Sequence, residues 1–255
     1  MISLHLQNIT VEYGDNRVID DITADLTGGE MTAVIGRNGV GKTTLIKAVS
    51  DLTKHSGKVT LTDGDRVLRP KNEISYVPQL GSLNTKLTVF EMVLLGLVDT
   101  LRWHVTGEQL EKVSNVLSQL RLTGISKQPF NTLSGGQKQL VCMAQSLISN
   151  PKVLLLDEPT SALDLRHQLI VMDLAQKYTE ETGAVTIFVV HDLMLASRYG
   201  KKLLLLHQGK IKAFDSAENV MKPELLQSVY GVELSIEKTK DGYFSVVPIK
   251  PYAHR

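Results

Sequence analysis

Cysteine is almost missing from this sequence of 255 residues: Cys142 stands alone. That excludes an internal disulfide framework and a cysteine-based zinc site, and it fits a reducing compartment. The local run LVCMA marks Cys142 as buried filler rather than a reactive thiol. An excess of one charge is missing too. Lys and Arg number 28 against 27 Asp and Glu, a net +1. Such a chain has no strong field for anionic lipid or nucleic acid, and no nucleic-acid partner is expected. Long hydrophobic runs are absent: VLLL at 153–156 and LLLL at 203–206 fall far short of the ~18 residues of a membrane helix. The start, MISLHLQNIT, alternates apolar and polar residues and lacks the basic head and apolar core of a signal peptide. No internal repeat or low-complexity stretch occurs. At 42% hydrophobic and 22% charged the composition is globular, enough for one large α/β domain or two small ones.

Patterning divides the chain. Residues 2–6 and 17–26 alternate and predict strands around a turn at Tyr13-Gly14-Asp15-Asn16. MTAVI (31–35) predicts a short buried strand, with a helix from Lys42 to about Asp51. Residues 57–69 predict a hairpin turning at Asp63-Gly64, and ISYV (74–77) another strand. Residues 84–150 look helical: Leu110, Val113, Val116, Leu117 and Leu120 recur at spacings of three and four, and Thr88 with Glu91 forms a capping-box pattern. After Pro151 the alternation of strand and helix returns, with strands at 153–156, 185–190 and 203–206, a helix over Arg166–Tyr178 and a final hairpin turning at Asp241-Gly242. Uninterrupted apolar runs imply strands covered on both faces, hence a largely parallel sheet.

Residues 36–43 read G-R-N-G-V-G-K-T, which fits the phosphate-loop pattern between a predicted strand and a predicted helix. Gly36, Gly39 and Gly41 let the backbone curl so that N–H groups face phosphate oxygens, and the helix N-terminus adds partial positive charge. Lys42 supplies a cation for the β- and γ-phosphates, and Thr43 a hydroxyl for Mg²⁺. The bland alternative is a glycine-rich turn with a surface lysine. The strand before and helix after favour phosphate.

V-L-L-L-D-E-P-T at 153–160 ends an apolar strand in two acids, costly unless they meet a cation. Asp157 fits a Mg²⁺-holding acid, and Glu158, on the other side of the strand, could take a proton from attacking water. His191 ends the next strand about one βαβ unit later, which places it near Glu158 at the sheet edge where α/β proteins bind ligands.

L-S-G-G-Q at 133–137 makes Ser134 a helix N-cap and its two glycines a second anion-binding nest. Two phosphate-facing helix starts in one chain serve one nucleotide only if they come from two molecules, so a head-to-tail dimer is expected.

With these motifs the chain resembles the nucleotide-binding subunits of ATP-binding cassette (ABC) transporters over nearly its whole length. That resemblance implies an α/β P-loop NTPase (RecA-like) core with a largely parallel sheet, an N-terminal antiparallel β subdomain and an inserted α-helical subdomain. It implies a single domain over 1–255, divided at 1–83, 84–150 and 151–255. The loop G-R-N-G-V-G-K-T-T resembles the family's Walker A, bringing Arg37, Asn38 and Thr44 to the nucleotide. VLLLDEP resembles Walker B, with Glu158 catalytic. Ser134, Gly135, Gly136 and Gln137 resemble the signature motif, Ser161-Ala162-Leu163-Asp164 the loop that crosses the dimer interface, and His191 the switch histidine. Gln79 in SYVPQ resembles the glutamine that touches Mg²⁺ and water, and Tyr13 the aromatic that stacks on adenine. Taken singly, those two are an ordinary surface glutamine and turn tyrosine; only their order among the other motifs singles them out. Lys138, Gln139, Leu140 and Ala144-Gln145-Ser146 stand where the family often has arginines, so its bracing ion pairs do not carry over to this insert.

The implied chemistry is hydrolysis of ATP with Mg²⁺. Implied partners are a second copy, two integral membrane permeases docked beside Gln79 and, indirectly, a substrate-binding protein. The implied place is the cytoplasmic face of a bacterial inner membrane, as a peripheral subunit. LTVFEMVLLGL (87–97), ALDLRHQ (162–168), HDLMLASRY (191–199) and the tail from Gly209 to Leu234 look like the ATPases of iron-siderophore, haem and cobalamin importers, with ferric siderophore favoured. The other classes weighed are a soluble ABC ATPase acting on ribosomes or DNA, which usually carries two cassettes or a coiled-coil insertion, and a small-molecule kinase, against which LSGGQ, Glu158 and His191 argue.

Overall fold

The computed structural model describes residues 1–79, 81, 85–100 and 105–252, the last two of 85–100 by backbone only. The parts of the helical reading at residues 84 and 101–104 lie outside the described residues. Two sheets face each other across one helix. The first is antiparallel, in the order β2-β1-β4-β5, from β1 (Ile2–Tyr13), β2 (Asn16–Thr27), β4 (Ser56–Asp63) and β5 (Arg66–Leu68). The second has six strands in the order β10-β9-β3-β8-β7-β6. Here β3 (Met31–Ile35), β6 (Ile74–Val77), β7 (Val153–Asp157), β8 (Val185–Val189) and β9 (Lys202–His207) run parallel, and β10 (Lys210–Ser216) adds an antiparallel edge.

Both faces of the main sheet are covered, which explains its unbroken apolar strands. Val153 and Leu155 of β7 pack with Leu4, Ile9 and Ile22 of the first sheet and with Leu45 and Ile46 of α1 (Lys42–Val49). Leu154 and Leu156 of the same strand pack on the opposite side with the helical segments. Those are α3 (Val89–Leu94), α4 (Gly107–Gln119), α5 (Gly135–Leu147), α6 (Leu165–Thr182), α7 (Leu193–Tyr199) and α9 (Pro223–Tyr230), beside the short α2 (Pro70–Glu73) and α8 (Ala217–Val220). A hairpin of β11 (Val232–Lys238) and β12 (Phe244–Pro251) closes the described chain. Among the described residues no helix is long and apolar enough to cross a membrane.

Some boundaries differ from the pattern-based expectation. β1 and β2 run to Tyr13 and from Asn16, because the lapse in alternation at Gln7-Asn8 is absorbed by bulges. Asn8 and Asp21 take positive φ (53° and 57°), and the Asn8 amide donates to Asp21 Oδ1 at 2.6 Å. Ile9 and Val11 therefore return to the core, fully buried. The β4–β5 turn sits one residue later than expected, with Asp63 pairing Arg66. Leu110 is 43% exposed and stands off the buried face formed by Val113 and Leu117.

Phe188 on β8 is wholly buried at the centre of the sheet that carries the strand ends. Phe188→Ala should lower the unfolding free energy by about 4 kcal/mol in urea titrations, the usual cost of deleting a buried ring.

Candidate nucleotide site

The site grows from the C-terminal ends of four neighbouring parallel strands. After β3 the chain enters the loop 36–41 and then α1. After β6 comes Gln79, after β7 Glu158, and after β8 His191. The register aligns them, with Val77 opposite Leu156 and Asp157 opposite Val189.

In the loop, Gly36 has φ +146° and Gly41 φ +107°, backbone that side chains avoid. Both are also pressed by neighbours: a Cβ on Gly36 would fall 2.5 Å from the Leu206 carbonyl oxygen, and one on Gly41 2.7 Å from Ile19 Cδ1. Close approach to β9 and β2 is thus a second reason for these two glycines. Arg37, Asn38 and Gly39 are exposed at the loop's tip, and Thr44 is half-buried on α1. Lys42 is 5% exposed, and its ammonium donates to the carbonyls of Gly36 (2.8 Å) and Arg37 (3.0 Å). Burial pushes the Lys42 ammonium below the ordinary lysine range, against the opposing pull of Glu158 and Asp157.

The two acids have separate surroundings. Asp157 is buried; Thr43 Oγ1 donates to its Oδ1 and the Tyr76 hydroxyl to its Oδ2, each at 2.9 Å. Thr43 Oγ1 and Asp157 Oδ1 are hard oxygens beside the phosphate loop. They fit Mg²⁺, which takes one or two protein oxygens and fills its shell with water and phosphate. Among the described residues no group of three or more His, Cys, Asp or Glu could hold a metal by protein alone. Glu158 has left-handed backbone (φ 49°), the kind of local strain that gathers at functional sites. Its Oε2 accepts from the Gln79 amide at 2.7 Å, and its Oε1 accepts from His191 Nε2. Gln79 also donates to Ser161 Oγ at 3.4 Å, and Ser161 donates to the Glu158 carbonyl at 2.9 Å.

Ser134 caps α5 through a capping box with Gln137: Gln137 N donates to Ser134 Oγ (3.3 Å) and Ser134 N to Gln137 Oε1 (3.0 Å). The expected glycine nest is not there. Gly135 and Gly136 form the first turn of α5 without positive φ, so the signature presents an ordinary capped helix start; Gly136 is small because the ring of His167 lies against it. Asp164 caps α6. Tyr13 is 53% exposed at the β1–β2 turn, its hydroxyl 3.1 Å from Thr53 Oγ1. Among the described residues no ion pair joins α5 to its neighbours; Lys138 instead lies 6.0 Å from the Phe130 ring centre, and the Gln139 amide nitrogen is buried without a partner. Cys142 is buried, its thiol pushed up to about 11 by burial, as expected of inert filler.

Tyr76 escaped the sequence reading. Its signal was faint: a tyrosine three residues before Gln79 on a strand that pairs with β7.

A family model for ABC transporters matches residues 19–161, more than half of the chain. The chain belongs to the ABC transporter family. The cassette is 35% identical to an uncharacterized ABC transporter ATP-binding protein of Methanocaldococcus jannaschii, over 98% of this chain and 99% of that protein. It is 31% identical to a probable siderophore transport ATP-binding protein of Bacillus subtilis, over 96% of this chain and 90% of that one. Among solved structures, a chain of an inward-facing metal-chelate type ABC transporter superposes with TM-score 0.85 at 28% identity, covering 98% of both chains. The fold is that of a P-loop ATPase, and the protein is an ATPase subunit of this family.

Tyr76→Phe keeps the ring and removes one of the two hydroxyls on buried Asp157. It should cost about 2 kcal/mol of stability, the worth of a hydrogen bond to a charged group, read as a lower urea midpoint.

Proposed function

We propose that this cassette powers import of an iron chelate, a ferric siderophore, through two membrane permeases, working as a pair of copies that share each ATP. The observation that carries the reading is Glu158, gripped by Gln79 and His191 beside a phosphate loop whose buried lysine, among the described residues, donates to the backbone carbonyls of Gly36 and Arg37. In this reading the loop Gly36–Thr44 and Lys42 bind the β- and γ-phosphates, Tyr13 stacks on the base, and Thr43, Asp157 and Gln79 hold Mg²⁺. The ion supplies charge neutralisation on the phosphates. Ser134, Gly135, Gly136, Gln137 and Asp164 face the nucleotide of the other copy.

Both oxygens of Glu158 are engaged, by Gln79 and His191, so the base is latent until they let go. Moving Gln79 away frees Oε2 to accept a proton from water. That water's oxygen attacks the γ-phosphorus, the bond to the β–γ bridging oxygen breaks, and ADP and phosphate separate. His191, turned from Glu158, donates to the γ-phosphate. Gln79 is also the way out of the site. Beside it lies a groove of 530 Å³ between β6, α3 and α5, lined by Ser75, Leu87, Met92 and Gln145 among others, which suits a permease segment. In this reading residues 84–150 are the inserted unit between 1–83 and 151–255, and the cassette works as a peripheral subunit on the cytoplasmic face of the membrane.

The names of relatives support the cargo reading. Besides the siderophore protein above, a Bacillus subtilis protein named for iron(3+)-hydroxamate import is 31% identical over 92% of this chain. Haem is the second reading, favoured by a hemin import ATP-binding protein of Rhodococcus jostii at 33% over 97%.

Lys42→Ala should abolish binding of a fluorescent ATP analogue. Glu158→Gln should bind ATP, form dimers in light scattering and hydrolyse about 10³-fold more slowly, as expected for loss of a general base. A monomeric, fully active Glu158→Gln would remove Glu158 from the role. The cassette should co-purify with membrane permeases, and the reconstituted complex should raise its ATPase rate with a binding protein loaded with ferric siderophore. Stimulation by haem alone would select the second reading, and co-purification with ribosomes would overturn transport.

A further inference from the structure

His167 has no part in the chemistry above, yet it joins two of its elements. The carboxylate of Asp164 caps α6 by accepting from the His167 backbone N–H at 2.9 Å. The same carboxylate takes the imidazole, with Nδ1 2.9 and 2.8 Å from its two oxygens. A carboxylate only accepts, so Nδ1 carries the proton. These bonds hold the Asp164 carboxyl below the usual range, the backbone N–H of His167 foremost. With Nδ1 anchored, the far side of the ring lies on the first turn of α5. A Cβ built on Gly136 would fall 2.4 Å from the ring's Cδ2, 2.6 Å from Cγ and 2.9 Å from Nε2. Gly135 packs on the same loop more loosely, its would-be Cβ 3.8 Å from the Ala162 carbonyl oxygen and from Leu163 Cδ2. Gln168 completes the joint by donating to the carbonyls of Leu163 (3.1 Å) and Thr160 (3.4 Å). The loop so held includes Ala162 at φ 59°, a backbone that alanine takes only when its surroundings impose it.

We propose that His167 is a positioning residue for the shared nucleotide site. Tied to Asp164 and seated on Gly136, its imidazole locks the start of α5 and the loop 160–164 into one jaw that closes on the other copy's triphosphate. This rests on the reading that each nucleotide is shared between copies. It also gives the glycine at 136 an origin within its own chain: the space a methyl would need is filled by the ring. An error of about 1 Å in how such a jaw meets the phosphates costs about 10²-fold in rate, so a rigid spacer is worth having.

The test uses the full chain. In the Glu158→Gln background, His167→Ala should raise the ATP concentration needed for half-maximal pairing by about tenfold. Binding of fluorescent ATP by the lone chain should be unchanged, whereas a general folding defect would weaken both. With Glu158 in place, His167→Ala should lower kcat about tenfold and Gly136→Ala about 10²-fold. The double variant should match His167→Ala, regaining about tenfold over Gly136→Ala, because the methyl then occupies the vacated ring space. A double variant no better than Gly136→Ala means that the methyl meets something other than His167, and the proposal falls. Pairing of Glu158→Gln at the same ATP concentration with or without His167 also ends it and leaves the shared site standing. If Glu158→Gln never pairs, both ideas fall together.

Discussion

Parallel pairing of β6, β7 and β8 in one register is the constraint on which the site depends. It sets Val77 opposite Leu156 and Asp157 opposite Val189, so the residues that follow each strand emerge at one edge within reach of one another. A slip of one residue on β7 would turn Asp157 away from Thr43 and Tyr76 and exchange the two faces of the strand. The apolar packing that forbids the slip comes from both sides, since Leu155 and Leu156 are each fully buried in a different cluster. Core packing and the geometry of the candidate site are here the same requirement.

Much of this was legible because the signals are local. The phosphate loop, the capping pairs Thr88/Glu91 and Ser134/Gln137, and the buried strands each announce themselves within a few residues, where backbone hydrogen bonding and burial are decided. What stayed hidden depends on contacts distant in sequence. Nothing near Asn8 says that a bulge opposite Asp21 will return Ile9 to the core. Nothing near Tyr76 says that its hydroxyl meets Asp157, 81 residues away. Gly136 is the sharpest case. Its motif is read from five residues, but the reason for its size is a ring 31 positions further on, visible only when the two helices are packed.

Cargo selectivity belongs to another level. In the proposed reading the described residues hold the phosphates and link Glu158 through Gln79 to the groove beside β6. That reading gives the cassette no contact with the cargo, so the choice among chelates would fall to the permeases and the binding protein.

The charged groups of the site already have partners within the chain. Lys42 leans on two carbonyls of its own loop, Asp157 on two hydroxyls and Glu158 on an amide and an imidazole. A ligand that takes these groups exchanges internal partners for its own, and only the difference appears as affinity. In the proposed cycle such competition favours release: the chain's own groups stand ready to retake each position, so product would leave without a buried charge being stranded behind it.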